Sequence, residues 1–263
     1  MVHLFRALGR VLLLWVAVGA SHASEGPDCS RPLTLALHEH GLLYSSDTGS
    51  GIDKDVADEL IKRSGCKVVV TVMARARIWQ LIESGALDFS MSGITNEKRD
   101  VFAGFAWYFS NKYYLLARKD ARVTNLSSFE KNPQLQLGVI RSFRYSKNAN
   151  ELVDKLTAQN RVLYATGLDP LYELLALNRI QGMIIEPFDY SQVAGRSVKD
   201  LTLIVDTQDS SVPHGLIMSK KSLSIIEQAK WRSLVDSMRR DGAMLHIFEK
   251  YFSTDLATSM VNF

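Results

Sequence analysis

Short apolar runs alternate with amphipathic stretches along most of the chain, and this pattern predicts alternating strands and helices. Between the apolar runs, apolar side chains recur at helical spacing, as at Ile52, Val56 and Leu60. Regular alternation of strand and helix is typical of an α/β fold with largely parallel sheets. The predicted strands are residues 33–37, 67–73, 87–91, 113–118, 137–140, 161–165, 182–185, 201–205 and 214–218.

Glycines and a proline mark several predicted helix boundaries. Gly65 and Gly85 follow apolar helical faces, and each suits the left-handed residue that ends a helix. Asp169 followed by Pro170 is the pattern of a helix cap and a first-turn proline. The last long helix is predicted at residues 223–240, with a buried side formed by Ile225, Ile226, Ala229, Leu234 and Met238.

A polar loop at residues 92–99 follows the predicted strand 87–91 at its carboxyl end, where open α/β sheets bind their ligands. Arg99 would supply a planar, forked cation for a carboxylate. The alternative is a solvated surface loop, and the sequence alone leaves both interpretations open. The small residues that would let a ligand approach the backbone are Ser92, Gly93 and Thr95.

The first 23 residues have the pattern of an export signal. Arg6 and Arg10 form a basic start, residues 11–20 are apolar, and Ser21-His22-Ala23 is a small-x-small cleavage site. The apolar core is too short to span a bilayer stably, so we expect cleavage after Ala23 and a periplasmic protein that begins at Ser24. An uncleaved buried helix is the alternative.

Composition and charge exclude several classes of protein. The chain of 263 residues is 46% hydrophobic and 22% charged, which is ordinary for a globular protein. Its net charge is +3, and Arg6 and Arg10 of the leader supply two of those charges, so the mature chain carries 3 − 2 = +1. Nothing in this balance indicates a nucleic-acid partner, and we expect a monomer.

Cys29 and Cys66, the two cysteines, each stand shortly before a predicted strand, 33–37 and 67–73. Because the starts of parallel strands lie at the same edge of a sheet, a disulfide between them is geometrically plausible in an oxidising compartment. Two unpaired buried thiols are the alternative. The spacing fits no zinc or redox motif.

Six short motifs stand in order along the chain. They are Gly51-Ile52-Asp53-x-Asp55, Ser84-Gly85-x-x-Asp88, Thr95-x-Glu97-Lys98-Arg99, Phe109-Ser110-x-x-Tyr113-Tyr114, Gly138-Val139, and Asp241-Gly242 with Ile247-Phe248-x-Lys250-Tyr251-Phe252. Together they resemble the periplasmic amino-acid-binding proteins of extracellular solute-binding family 3, over nearly all of the mature chain.

This resemblance implies a two-lobed α/β fold of the periplasmic-binding-protein type, with two crossing segments and a ligand cleft between the lobes. Lobe 1 would comprise residues 24–116 and 216–263, and lobe 2 residues 117–215. In the family, an arginine after Thr-x-Glu holds the α-carboxylate of the ligand. The matching residue is Arg99, or Lys98 after a shift of one residue.

The resemblance also places Glu186, at the end of a lobe-2 strand, where the family binds the α-ammonium group. The family's Gly-Thr/Ser carboxylate loop reads Arg141-Ser142-Phe143 in this chain, so its glycine is lost, and Arg75 falls where the family often has an aromatic residue. Tyr44, in the loop after the first strand, is a further ligand-binding candidate. Arginines near the predicted cleft indicate an acidic or doubly charged ligand, unless they are solvated surface cations: Arg75, Arg77, Arg141 and Arg144.

The function implied is capture of a small polar solute, an amino acid or a related carboxylate, for the membrane permease of an ABC-type importer. We expect no enzymatic activity, cofactor or metal site. One alternative is a cleft enzyme similar to cyclohexadienyl dehydratase, with Glu186 as general acid. Another is a secreted, ligand-responsive subunit of a membrane sensor. The scattered histidines are interpreted as structural; they are His38, His40 and His214.

Overall fold

Two five-stranded sheets form the frame of the protein. The computed structural model describes residues 26–189 and 198–263. The predicted export signal, its cleavage site after Ala23 and the expected first residue Ser24 lie outside the described residues. Within the described ranges, no helix combines the length and the apolar character needed to cross a membrane.

The first sheet has the strand order β2-β1-β3-β10-β4. Its strands β1 to β3 are parallel, whereas β10 runs antiparallel to both β3 and β4. All five residues of β3 are buried, which is expected because helices cover both faces of the sheet. The strands are β1 (Leu33–Leu37), β2 (Val68–Val72), β3 (Phe89–Gly93), β4 (Ala103–Asn111) and β10 (Val212–Ser219).

Within residues 26–189 and 198–263, six helices pack with the first sheet, and together they form lobe 1. Gly65 (φ 68°) and Gly85 (φ 81°) end α1 and α2 in the left-handed conformation, as the sequence predicted. The helices are α1 (Ile52–Ser64), α2 (Arg75–Ser84), α3 (Glu97–Asp100), α8 (Ile225–Arg240), α9 (Ala243–Glu249) and α10 (Thr254–Val261).

The second sheet, with its helices, forms lobe 2 and has the strand order β7-β6-β8-β5-β9. Here β6 pairs in parallel with β7 and β8, and β5 runs antiparallel to β8 and β9. The elements are β5 (Tyr114–Arg118), α4 (Leu126–Lys131), β6 (Leu137–Ile140), α5 (Lys147–Ala158), β7 (Val162–Ala165), α6 (Leu168–Ala176), β8 (Gly182–Ile185), α7 (Val198–Leu201) and β9 (Thr202–Asp206).

The chain passes between the sheets twice. It leaves the first sheet between β4 and β5, at residues 112–113, and returns between β9 and β10, at residues 207–211. The predicted lobe bounds, after residues 116 and 215, fall a few residues later, inside β5 and β10. The exact division into lobes remains a prediction. The structure shows that the chain passes from one sheet to the other at these two connections.

Two helix predictions need correction. α6 begins at Leu168 with Gly167 as its N-cap, so Asp169 lies in the first turn and is not the cap. The helix α8 leaves Ile225 and Ile226 79% and 67% exposed. Its buried stripe begins one turn later, at Gln228. The side-chain amide of Gln228 donates to the Leu223 carbonyl. A pattern of apolar residues could not reveal a buried glutamine.

The predicted disulfide between Cys29 and Cys66 is confirmed, with a Cα–Cα distance of 4.9 Å. It joins the segments that lead into β1 and β2, whose parallel register begins at Leu33 and Val68. The geometric argument from the sequence therefore holds, because neighbouring parallel strands start at the same edge of the sheet.

Candidate functional site: the cleft between the lobes

Loops from both lobes converge on one small cavity at the carboxyl ends of the parallel strands. His38 follows β1, Ile94 follows β3, Phe143 lies just after β6, and Glu186 follows β8. The cavity has a volume of about 20 Å³, which is room for about one water molecule. The lobes lie closed around this cavity, which would hold an amino acid only if it widened. A larger groove of about 690 Å³ between the lobes also reaches Arg99 and Phe143.

Arg99 reaches across the cleft. Its backbone N–H is held by the side chain of Asn96, the N-cap of α3, and its guanidinium is 8% exposed. The guanidinium donates to the Ile94 carbonyl at 3.0 Å and, from lobe 1 to lobe 2, to the Ser142 carbonyl at 2.9 Å. It also lies 4.0 Å from the ring centre of Trp79. Its partners are thus neutral, with no ion pair to another described residue.

This surrounding disfavours the charge of Arg99. Burial first, and then the nearby charge of Arg75, lower the pKa of Arg99 to about 9. A buried guanidinium that hydrogen-bonds only to carbonyl oxygens retains a strong preference for an anion. The arrangement can therefore attract a carboxylate to the place where the two lobes meet.

Arg75 supports the carboxyl end of β3. It is 7% exposed and donates to the carbonyls of Met91 and Ser92 at 2.9 and 3.0 Å. Its guanidinium lies 5.9 Å from the Trp79 ring and 5.5 Å from the ring of Phe143. Arg75 thus adds a second buried cation beside Arg99, and burial lowers its pKa as well.

The hydroxyl of Ser92 turns toward its own lobe. Ser92 (φ 51°) donates through Oγ to Asp53 Oδ1 at 2.6 Å, and Tyr108 donates to the same oxygen at 2.7 Å. Asp53 is fully buried, and burial raises its pKa to about 6. This network fixes the conformation of the loop after β3, from which Arg99 extends.

Glu186 links the two lobes. Its Oε1 lies 2.7 Å from Nε2 of His40, and its Oε2 accepts from Asn111 Nδ2 at 2.6 Å. Its backbone N–H donates to Asp189 Oδ2 at 3.0 Å. Both partners of the Glu186 carboxylate belong to lobe 1, so the contact joins a lobe-2 strand end to lobe 1.

These groups set one another's protonation. Burial raises the pKa of Glu186, but the hydrogen bond and charge of His40 outweigh burial, and the net pKa is lowered. Burial lowers the pKa of His40, yet the carboxylates of Asp189 and Glu186 raise it overall. Burial raises the pKa of Asp189 to about 7. His40 and Glu186 therefore favour each other's charged forms, whereas burial favours the neutral form of Asp189.

Two further histidines also lie at the cleft. His214 donates from Nδ1 to the Val212 carbonyl, so its Nε2 accepts from the hydroxyl of Tyr113 at 2.7 Å. Burial lowers the pKa of His214 to about 4, which keeps the ring neutral. His38 lines the cavity at 2% exposure, and neither of its ring nitrogens has a hydrogen-bond partner in the part of the chain that the structure describes.

Phe143 fills the space between the lobes. Its ring, from lobe 2, lies 5.7 Å from the ring of His38 and 5.0 Å from that of His40, both in lobe 1. Phe143 lies in the segment that matches the family's carboxylate-binding loop. Its ring thus closes the cleft from the lobe-2 side. The sequence marked this departure but could not show where the ring would lie.

The remaining predicted site residues divide into those that line the cavity and those that do not. Gly93 lines it, although a side chain there would also collide with Ile217 of the sheet, at 2.2 Å. Arg144 lines it too and pairs with Asp154 at 3.1 Å. Tyr44 instead packs in the lobe-1 core. The residues on the surface are Arg77, Thr95, Lys98, Arg141 and Ser142, of which Ser142 contributes its carbonyl to Arg99 and Thr95 bonds the carboxylate of Asp100.

Sequence reasoning missed the three histidines as cleft residues. His38 and His40 directly follow β1 at its carboxyl end, the same position that identified Ser92 and Glu186. That positional rule could have found them. His214 lies on β10, close to a crossing segment, and no local pattern in the sequence marks it as a cleft residue.

Comparison with known proteins identifies one family. The sequence model of the bacterial extracellular solute-binding proteins, family 3, matches residues 41–254. No curated protein sequence matches the chain.

Solved structures with the same fold are described as amino-acid-binding proteins. An ancestral arginine-binding protein bound to glutamine is 20% identical, with a TM-score of 0.68 over 84% of this chain and 97% of that one. The arginine-, lysine-, histidine-binding protein ArtJ of Geobacillus stearothermophilus is 16% identical, with a TM-score of 0.72 over 87% and 100%. The ancestral amino-acid-binding protein AncCDT-1, a precursor of cyclohexadienyl dehydratase, is 19% identical, with a TM-score of 0.68 over 84% and 96%. These likenesses confirm the two-lobed α/β fold.

Proposed function

Because the chain belongs to the bacterial extracellular solute-binding proteins of family 3, we propose that it captures a small polar solute in the cleft between its lobes. The solute is an amino acid or a related small carboxylate. The protein then presents it to the permease of an ABC-type importer. The export signal predicted at residues 1–23 supports a periplasmic location for this step.

The observation that carries the proposal is the buried guanidinium of Arg99. Its hydrogen bonds go to the carbonyls of Ile94 and Ser142, and it has no carboxylate partner among residues 26–189 and 198–263. A ligand carboxylate could replace the Ser142 carbonyl and bond the planar fork with both oxygens. The cation would then gain the counter-ion that the protein does not supply.

Glu186 supports an amino group at the other end of the solute. Its partners in the closed cleft, His40 and Asn111, both belong to lobe 1. An ammonium group of the solute would take the place of one of them as a partner of the ionised carboxylate. A lowered pKa suits a group that binds an ammonium, whereas a general acid must hold its proton. This favours binding over the dehydratase alternative.

Access to the site requires movement of lobe 2. A cavity of about 20 Å³ cannot hold an amino acid, so a solute that binds in it would displace the ring of Phe143 and the contact between Arg99 and Ser142. Two crossing segments, at residues 112–113 and 207–211, are the only connections between the sheets in the described chain, and narrow connections allow hinge opening. Ligand contacts made only in the closed state would then drive closure.

The retained solute tests the proposal. Protein purified from a periplasmic fraction without added ligand is compared by native and denaturing mass spectrometry. We expect one bound small molecule per chain, and we expect it to carry a carboxylate group. A panel of amino acids and dicarboxylates, titrated into refolded ligand-free protein by calorimetry, then ranks the solutes. A retained compound without an acidic group, or no binding across the panel, would contradict the proposal.

A further inference from the structure

Three buried side chains from the two lobes bring potential metal ligands together beside the cavity. His40 extends from lobe 1, and Glu186 and Asp189 follow β8 of lobe 2. One ligand atom from each lies within 4.8 Å of the others. Nε2 of His40 is 2.7 Å from Glu186 Oε1 and 3.6 Å from Asp189 Oδ1, and the three side chains are 1–4% exposed.

The carboxylate of Asp189 has one hydrogen-bonded oxygen and one oxygen without a donor among the described residues. Its Oδ2 accepts from the backbone N–H of Glu186, which fixes the orientation of the carboxylate. Its Oδ1, turned toward His40, has no hydrogen-bond donor in the described part of the chain. Asn111 donates to Glu186 through Nδ2, and its own Oδ1 is likewise unpartnered there. Buried oxygens of this kind are rare and costly unless something else satisfies them.

The distances suit a transition-metal ion. With ligand bonds of about 2.1 Å, separations of 2.7 and 3.6 Å correspond to ligand–metal–ligand angles of about 80° and about 118°. The wider angle fits a tetrahedral or five-coordinate ion, and the narrower one needs His40 and Glu186 to part by a few tenths of an ångström. One imidazole and two carboxylates are donors that suit Zn²⁺ and neighbouring divalent ions.

The charge of the three side chains also favours a divalent cation. Two carboxylates and a neutral imidazole carry two negative charges, which are costly to bury uncompensated. A divalent cation would neutralise them in full, whereas protons must otherwise be shared among the three groups. We propose that His40, Glu186 and Asp189 bind a divalent transition-metal ion such as Zn²⁺ between the two lobes.

Such a site connects the two lobes, because His40 follows a strand of the first sheet and Glu186 and Asp189 follow a strand of the second. A bound ion therefore stabilises the closed arrangement by the difference in its affinity for the two states. Nδ1 of His40 has no hydrogen-bond partner among the described residues. Metal-binding histidines usually have one, and its loss weakens binding by about 10–100-fold. We accordingly expect weaker binding than at a site of the same ligands whose histidine has such a partner.

The test uses untagged protein stripped of metal with a chelator and titrated with Zn²⁺ alone by calorimetry. We expect one Zn²⁺ per chain, and Co²⁺ as a substitute should give the visible absorption of a nitrogen- and oxygen-bound ion. Asp189→Asn preserves the shape of the side chain and should weaken Zn²⁺ binding at least about tenfold. Removing a metal ligand should weaken binding more than removing a residue that only hydrogen-bonds to a ligand, which costs about tenfold or more. His40→Gln, a second variant, should do the same.

His246→Gln is the control. His246 is exposed and shares a surface groove with Asp58 and Glu59, so it is where a surface ion would bind. The variant should bind Zn²⁺ as wild type does. Binding that survives both Asp189→Asn and His40→Gln, or that disappears in His246→Gln, would overturn the proposal. So would an absence of stoichiometric binding to the wild-type protein.

Discussion

Replacing Arg99 with methionine separates the cost of burying its charge from the use of that charge in ligand binding. Methionine keeps most of the side-chain length and removes the guanidinium. The guanidinium bonds two carbonyls and contacts Trp79, but it has no counter-ion among the described residues. The substitution should therefore affect affinity and stability in opposite directions.

The magnitudes follow from the pKa and the contacts. Lowering the pKa from 12.5 to about 9 means that burial disfavours the charged form of Arg99 by about 5 kcal/mol, at 1.36 kcal/mol per pKa unit. Losing the donor leaves the carbonyls of Ile94 and Ser142 unpaired, at about 1–3 kcal/mol each. The difference between these terms is about −1 to +3 kcal/mol, so the free energy of unfolding should change little or rise. Ligand binding should lose about 2–5 kcal/mol, or at least about thirtyfold in affinity.

Arg161→Met is the matched control. Arg161 is another buried arginine, 6% exposed, that bonds backbone carbonyls of lobe 2 far from the cleft, including those of Leu135 and Phe129. Its replacement should lower the free energy of unfolding and leave ligand affinity unchanged. Urea unfolding and calorimetry on both variants give the comparison. The reasoning fails if Arg99→Met keeps wild-type affinity, or if it destabilises the free protein as much as Arg161→Met does.

Three further predictions concern stability and processing. Replacing Cys29 and Cys66 together with alanine should lower the free energy of unfolding by about 4 kcal/mol in the chain-entropy model, because the bond closes a loop with a sequence separation of 37; equal urea midpoints would contradict this. Burial raises the pKa of Asp53 from 3.8 to about 6, so the folded chain keeps a proton that the unfolded chain has released. Relative to Asp53→Asn, wild-type stability should therefore fall as the pH rises from 4 to 7, by at most about 3 kcal/mol in urea unfolding, and a constant difference would refute the assignment. N-terminal sequencing of exported protein should begin at Ser24, and an intact Met1 in the periplasmic fraction would exclude cleavage.

Local sequence pattern was sufficient for much of the fold. The strands Leu33–Leu37, Leu137–Ile140 and Gly182–Ile185 have the predicted bounds, because each is a short apolar run between polar or turn-forming residues. The strand Ala103–Asn111 was not predicted. Eight of its nine residues are buried, so it lacks the alternation that marks a half-exposed strand, and its aromatics suggested only core or cleft wall.

Only those site residues that directly depend on the position of a strand end could be predicted from the sequence. Arg99 and Glu186 were found because each follows a buried strand at the carboxyl edge of a sheet. The pairing of His40 with Glu186 spans 146 residues and depends on how the two lobes face each other. The same holds for Phe143 against His38, since a ring from one lobe contacts the other only in the closed arrangement. No local pattern encodes that arrangement.

The crystal structure of the protein with its retained solute tests the central claim most directly. We predict that a carboxylate of the solute lies within hydrogen-bonding distance of the Arg99 guanidinium, in place of the Ser142 carbonyl. The ring of Phe143 should have moved out of the space that it fills between the lobes. A solute bound elsewhere, or a cleft in which Arg99 still donates to Ser142 beside a bound solute, would contradict the account.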